Sequence, residues 1–229
     1  MPIQLIGLKG ATCIMRVFIT LEEKGVTDYN LREVDMMAGE LKKPPFLAKN
    51  PFGQIPVLED GDLTIFGNSC PLCGIRNTGL RYVESRAICR YLEDKYKGLG
   101  TRLMPDQSDL KATALFEQWA SVELSHFDSI VSSLYYQKIV RKFQGLDPVP
   151  EILEDNTNSL SAKLEIFNRI LETQRYMAGS EFSLVDIFFV PYVNRMFKME
   201  IGNLIMDRPH LKIWWESVSS RPSVKKWAM

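Results

Sequence analysis

The sequence predicts a small α/β domain followed by an all-α one. Three observations carry that expectation. The first hundred residues alternate short apolar runs with helical spacing. Asp60-Gly61 between two strand-like runs signals a hairpin, and from about Asp106 the pattern changes to long helices. In order, Ile3 to Ile6 is a short apolar run suited to a buried strand. Thr12 to Lys24 places Val17, Phe18 and Leu21 at helical spacing and stops at Gly25, a residue suited to a helix C-terminus. Tyr29 to Val34 alternates as a second strand, and Met36 to Phe46 is polar and proline-bearing. Ile55 to Glu59 and Leu63 to Phe66 flank the turn, and Ser85 to Lys95 returns to helical spacing through Ala87, Ile88, Tyr91 and Leu92. A βαβ unit, a hairpin and a helix make a small mixed sheet with helices packed on it.

In the second half, Leu160, Leu164, Phe167 and Leu171 form one stripe of an amphipathic helix. Phe182 to Phe197 is apolar nearly all round, which predicts a helix at the centre of a bundle, and Ser183-Leu-Val-Asp186 offers it a capping box. Gly145 to Asp155, rich in proline and acidic residues, is expected to separate two helices. Tyr96 to Arg102, with two glycines and no apolar period, reads as a linker. The domain expectation is therefore 1–96, a linker at 97–105, and 106–229.

Composition excludes several classes of function. Among 229 residues, 28 Lys and Arg balance 28 Asp and Glu, so no single-sign field draws nucleic acid or an anionic membrane. The 45% hydrophobic and 24% charged shares are those of a globular protein. The longest apolar stretch, Ile187 to Val193, is far short of the roughly 20 residues of a membrane span. The opening residues lack the pattern of a signal peptide, and four cysteines do not make a disulfide scaffold, so the expectation is a cytoplasmic protein.

Two segments carry chemistry. In Asn50-Pro-Phe-Gly-Gln-Ile-Pro-Val-Leu-Glu-Asp-Gly61, Pro56 opens a strand without a donor, and Ile55–Pro56 is a candidate cis bond. A cis bond there turns the Ile55 backbone outward to pair with a peptide-like ligand; the plainer reading is a tight turn entering a strand. In Glu84-Ser-Arg-Ala-Ile88, Ser85 opens a helix whose free N–H groups favour a carboxylate, or it simply caps its own helix.

Taken in chain order, Lys-Lys-Pro-Pro-Phe-Leu, Asn-Pro-Phe-Gly-Gln-Ile-Pro, Asp-Gly-Asp-Leu-Thr-Ile-Phe and Glu-Ser-Arg-Ala-Ile resemble a glutathione transferase, closest to the phi-type enzymes of plants and their fungal relatives. Trp119 to Phe127 and Tyr176 to Asp186 match the same family's patterns, so the resemblance spans nearly the whole chain. It implies a thioredoxin-like first domain, an all-helical second domain, and a homodimer with a glutathione site and an adjoining hydrophobic site. Glutathione is then the cosubstrate, with no metal. By position, the resemblance puts Lys42 at the glycine carboxylate of glutathione and Gln54, Ile55 and Pro56 along the cysteinyl part. Glu84 and Ser85 fall at the γ-glutamyl end. An anionic tripeptide held by a cation, a backbone edge and a helix N-terminus is chemically consistent. Phe116, Phe127, Leu134 and Tyr135 are the candidates for the hydrophobic site, against the plainer reading that most such residues are core, which is the expectation for Trp119.

The sequence also departs from the family. An ordinary thiol, with a pKa of about 8.5, is only slightly ionised at neutral pH, and phi-type enzymes donate a serine hydroxyl to the sulfur. That serine position is Ala11 here. Thr12, next in line, is either a substitute donor and the catalytic residue or a plain helix cap. Cys13 offers a third route, thiol transfer through a mixed disulfide, against the plain reading of a small buried residue. Leu41 stands where relatives often place a histidine. The family pattern also passes from Phe66 directly to Glu84, which makes 67–83 an insert: an evolved loop, or a retained intron. Its Cys70-Pro-Leu-Cys73 lies after the fourth strand, away from the start of the first helix where thioredoxin chemistry needs such a pair. Two cysteines with His126 and His210 remote in sequence do not make a zinc site. The expected activity is conjugation of the glutathione thiolate to hydrophobic electrophiles, with peroxide reduction as a further reaction. A non-catalytic carrier of glutathione or hydrophobic ligands, and a Cys13-dependent thiol transferase, are the rivals.

Overall fold

The computed structural model describes residues 2–67 and 85–228. The chain divides into two compact units, 1–102 and 103–229.

The first unit is built on a four-stranded sheet of β1 (Ile3–Gly7), β2 (Tyr29–Glu33), β3 (Val57–Asp60) and β4 (Leu63–Phe66), in the order β2-β1-β3-β4. β1 and β2 run parallel, with Leu5 opposite Leu31, which requires a crossover, and α1 (Thr12–Glu23) supplies it. β1 pairs antiparallel with β3, Ile6 opposite Val57, and β3 with β4, Val57 opposite Phe66. The two central strands bury Ile3, Leu5, Ile6, Val57 and Leu58, as strands covered on both faces do. β3 begins at Val57, two residues later than expected, because Pro56 has no N–H for the ladder. α1 ends at Gly25, whose φ of +68° allows the Val26 N–H to reach Leu21 O (2.9 Å) and the Gly25 N–H to reach Glu22 O (3.0 Å). α3 (Ser85–Lys95) packs on α1. Between β2 and β3 the chain makes a 3₁₀ turn, Glu40–Lys42, and one short helix, α2 (Pro44–Leu47).

The segment expected to be a linker is tied down where it leaves α3. The Thr101 N–H donates to Glu23 O (2.8 Å), its hydroxyl to Glu23 Oε2 (2.7 Å), and Lys24 Nζ donates to Thr101 O (3.0 Å). Lys24 also makes a buried ion pair with Glu93 of α3 at 2.8 Å. A run without apolar period can still be ordered by hydrogen bonds to a neighbouring helix end, which periodicity does not report.

The second unit is helical. α4 (Leu110–Glu123), α5 (Ser129–Tyr135) and α6 (Arg141–Phe143) form one rod through π-turns at Leu124–Asp128 and Tyr136–Val140. α7 (Pro150–Ile170), α8 (Leu184–Lys198), α9 (Asn203–Met206), α10 (Pro209–Ser219) and α11 (Pro222–Ala228) complete it. α8 is buried along most of its length against α4, α5, α10 and α11, as its all-round apolarity predicts. Its expected capping box is present. Leu160, Leu164, Phe167 and Leu171 are all buried. The separating segment is shorter than expected. α7 already begins at Pro150, a residue that fits the first helical position, and Glu151 complements the helix dipole. No described helix is long and apolar enough to cross a membrane.

Candidate functional site

Strand register alone gathers the candidate residues of the first unit at one end of the sheet. Ile6 lies opposite Val57 and Val57 opposite Phe66, so the exit of β1, the entry of β3 and the exit of β4 are neighbours. The exit of β1 leads to the start of α1. The entry of β3 is Pro56, joined to Ile55 by a cis peptide bond. The exit of β4 is Gly67, and a Cβ on this glycine would stand 2.7 Å from Pro56 Cδ and 3.0 Å from the Ser85 nitrogen. The close approach explains the glycine, and it sets the start of α3 beside Pro56.

Around this point lie two buried polar atoms that have no hydrogen-bond partner among the described residues: Gln54 Oε1 and Ser85 Oγ. Ser85 is 0% exposed. Its hydroxyl does not cap its helix, which disposes of the plainer sequence reading for this residue. Leaving such atoms unmatched costs about 1–3 kcal/mol each, so each is open to a further partner. Lys42 is exposed, and its Nζ donates to Phe52 O at 3.2 Å, which lays the ammonium along the loop that precedes Gln54. Leu41, beside it, is buried. Glu84, Cys70 and Cys73 lie outside the described residues.

At the head of α1, Ala11 occupies the cap position with extended backbone (φ −70°, ψ 137°) and supplies no side-chain cap. Thr12 is the first helical residue and 1% exposed, so it does not sit at the cap position. Cys13 is a free thiol buried in the core. The other described free thiol, Cys89, is also buried, and desolvation pushes its pKa up to about 11, which leaves it an inert protonated group.

In the second unit the hydrophobic candidates divide. Phe127 is 0% exposed and packs against Phe189 (4.7 Å between ring centroids) and edge-on to Phe167 (6.5 Å). Leu134 is also fully enclosed and Phe116 nearly so. These three are core, a correction of their assignment to a ligand surface. Their helices carry apolar residues on more than one face, and spacing alone does not say which face a cleft takes. Tyr135 keeps accessible surface, and the Arg195 guanidinium lies 3.7 Å from its ring centroid. Trp119, expected in the core, is half-buried. Among the described residues no group of three or more His, Cys, Asp or Glu side chains is placed to hold a metal ion.

Sequence reasoning missed one residue of this region, Asn50. It opens the most specific motif, and its side chain donates to Gln54 O within that motif and to Gly67 O seventeen residues on, the second of which no local pattern reports.

Comparison with known proteins agrees with this fold. Residues 12–95 match the family model for the glutathione S-transferase N-terminal domain, and residues 139–222 that for the C-terminal domain. Glutathione S-transferase PM239X14 of Arabidopsis thaliana is 41% identical over 214 residues, covering 93% of this chain and 89% of that protein. The crystal structure of glutathione transferase F7 from Populus trichocarpa superimposes with a TM-score of 0.85 at 38% identity, covering 99% of this chain and 97% of that one. Glutathione S-transferase I from mais, solved in complex with an atrazine glutathione conjugate, gives 0.85 at 28% identity over 100% of this chain and 97% of its own. These relatives are plant enzymes, so the fungal half of the resemblance is not supported.

Proposed function

The chain belongs to the glutathione S-transferase family and is a glutathione transferase, and we propose that it joins the glutathione sulfur to hydrophobic electrophiles through the sheet-end site around Pro56. The observation that carries this reading is the pair of unmatched buried atoms, Gln54 Oε1 from the loop before Pro56 and Ser85 Oγ from the start of α3. A bound tripeptide supplies what they lack. Its γ-glutamyl end meets the Ser85 hydroxyl and the first N–H groups of α3; a part for Glu84 there rests on the family resemblance alone. Its cysteinyl part pairs with the Ile55 backbone beside Gln54, and its glycine carboxylate is met by Lys42.

With both ends held, the sulfur falls over the start of α1. Ala11 at the cap position offers no side-chain oxygen of its own, and the positive end of the helix dipole favours a thiolate there. Thr12, as the first residue of α1, is the hydroxyl donor that stands in for the serine replaced by Ala11. Each unit by which the thiol pKa falls corresponds to about 1.4 kcal/mol in favour of the anion. The thiolate attacks an electrophilic carbon, the carbon–sulfur bond forms as the leaving group departs with its electron pair, and the thiol proton passes to solvent. Holding both reactants close supplies the remaining acceleration. Tyr135 contributes to the hydrophobic side of the reading, and a homodimer and attack on peroxide oxygen belong to the same proposal.

Retention on immobilised glutathione, together with a conjugation assay on an activated aryl halide, tests it. Both should be positive for the unaltered protein, and Thr12→Ala should lose turnover while keeping retention. Retention with no turnover in the unaltered chain would make it a carrier. Turnover lost in Cys13→Ser and kept in Thr12→Ala would make it a thiol transferase.

A further inference from the structure

We infer that Arg195, with Lys138 and Tyr135 beside it, forms a site for a small phosphoryl anion at the C-terminal end of α8. All three residues belong to the helical unit, so the site does not depend on the reading of the glutathione site given above. Arg195 lies in the last turn of α8 and is 7% exposed. Its guanidinium stacks on the Tyr135 ring, 3.7 Å from the centroid, with the Tyr192 ring centroid 5.9 Å away. Its Nη1 is buried and has no hydrogen-bond partner among the described residues. Lys138, three residues after Tyr135 in the second π-turn of the rod, reaches the same helix end, where its Nζ donates to Met199 O at 3.4 Å. Met199 closes the last turn, its N–H donating to Arg195 O at 2.9 Å. Two cations thus serve one helix end, and among the described residues no carboxylate pairs with either.

The chemistry of the two cations selects the ligand. An arginine stays charged at every ordinary pH, so its burial is not relieved by losing a proton. The negative end of the α8 dipole and the face of Tyr135 offset part of that charge, but neither gives Nη1 an oxygen to donate to. An oxyanion does. The planar guanidinium presents a fork of donors that matches phosphoryl oxygens, and stacking on Tyr135 holds that fork in one plane. Lys138 adds a second charge on a flexible stem. A dianion balances both cations, whereas a single carboxylate leaves one of them unmatched. Tyr135 keeps accessible surface, which suits a monoester whose organic part is aromatic. The plainer role for both cations, complementing the helix dipole, predicts no response to phosphate, and the two readings part there.

The test titrates the full chain with inorganic phosphate and with phenyl phosphate at constant ionic strength, beside Arg195→Met, Arg195→Lys and Lys138→Met. Binding is followed by calorimetry and by the unfolding temperature. In the unaltered chain binding should saturate and raise the unfolding temperature by about 5 °C or more at a hundredfold excess over Kd. Arg195→Met should lose that rise. Without phosphate its unfolding temperature should stay level or increase, because a buried cation with no acid partner has been exchanged for an apolar chain. Arg195→Lys keeps the charge and loses the fork, and should raise the phosphate Kd by about tenfold; Lys138→Met should raise it by about threefold. The general stabilisation of folded proteins by phosphate acts on every variant alike, so the difference between chains is the readout. Phenyl phosphate binding at least as tightly as inorganic phosphate points to an organic monoester and weaker binding to the free ion; either supports the site. A phosphate response equal in the unaltered chain and Arg195→Met, or none in the unaltered chain, would overturn the inference. Should Arg195→Met not fold, the unaltered protein still decides. Its Arg195 Nε–H resonance should shift saturably with phosphate while that of the exposed Arg169 does not, and an unmoved Arg195 resonance would contradict the site.

Discussion

Two serines open helices in this protein, and they are used in opposite ways. At the start of α8, Ser183 accepts from the Val185 N–H (3.2 Å) and donates to Asp186 Oδ2 (3.2 Å). Asp186 in turn accepts from the Ser183 N–H, the Met177 N–H and Trp214 Nε1, each at 2.9 Å. At the start of α3, the Ser85 hydroxyl is as deeply buried and has no partner among the described residues. A saturated polar cluster rigidifies the helical unit, whereas the unsaturated atoms at the end of the sheet are, on the function proposed above, where the ligand is expected to bind. Ser183 holds the cap position of α8 whereas Ser85 is the first helical residue of α3, and the proposal reads the one as stability and the other as recognition.

Breaking the saturated side should have the largest effect on folding. Asp186→Ala removes the acceptor of four hydrogen bonds in a fully buried setting. It is expected to cost about 3 kcal/mol and to lower the melting temperature by roughly 6–12 °C. Scanning calorimetry checks this, and glutathione binding by the fraction still folded should be unchanged. Burial raises the Asp186 pKa above the ordinary carboxylate range despite these donors, so even the saturated acid is held at some electrostatic cost.

On the unsaturated side the pattern should invert. Ser85→Ala deletes a hydroxyl that bonds to nothing in the free chain. The melting temperature should stay level or rise slightly, while the glutathione Kd increases by about 10- to 100-fold, as expected for a hydrogen bond to a charged group. Titration calorimetry beside thermal unfolding separates the two responses.

The seam between Gly67 and Ser85 sharpens the comparison further. A Cβ on Gly67 would lie 3.0 Å from the Ser85 nitrogen, so the chain leaves β4 and enters α3 at one point. Removing the insert, residues 67–83, and joining Phe66 to Glu84 should therefore keep the fold and, by shortening a closed loop, add up to about 2 kcal/mol of stability. Thermal unfolding of that deletion checks it, and transcript sequencing asks whether the message encodes 67–83 at all.

The smallest effect concerns the far end of α3. Asp60, in the hairpin, accepts from Lys95 Nζ and the Tyr91 hydroxyl, and these bonds, Lys95 foremost, hold its pKa below the usual value of 3.8. A depressed folded pKa gives stability that is present above the unfolded value and is lost as pH falls through the folded one. Asp60→Asn should flatten the acid limb of the stability curve below about pH 4, by only ~0.5 kcal/mol for so solvent-screened a pair.

Much of this was legible in the sequence because the signals are local. The βαβ spacing, the Asp60-Gly61 turn and the Ser183–Asp186 box each sit within a few residues, and the structure holds all three. What escaped depends on partners far along the chain. Phe127, Leu134 and Phe116 looked like a ligand surface because helical spacing names the apolar face without naming what covers it, and here Phe127 is covered by Phe167 and Phe189. Asn50 escaped because one of its bonds ends on the carbonyl of Gly67, seventeen residues on. Thr12 was weighed as a cap, yet the cap position belongs to Ala11, since the extended residue falls one place earlier.

The most direct test of the account is a crystal structure of the chain with glutathione. It predicts the γ-glutamyl carboxylate within hydrogen-bond reach of Ser85 Oγ, backbone pairing at Ile55, and the sulfur at the start of α1. A tripeptide bound elsewhere, with Ser85 Oγ and Gln54 Oε1 still unmatched, would contradict it.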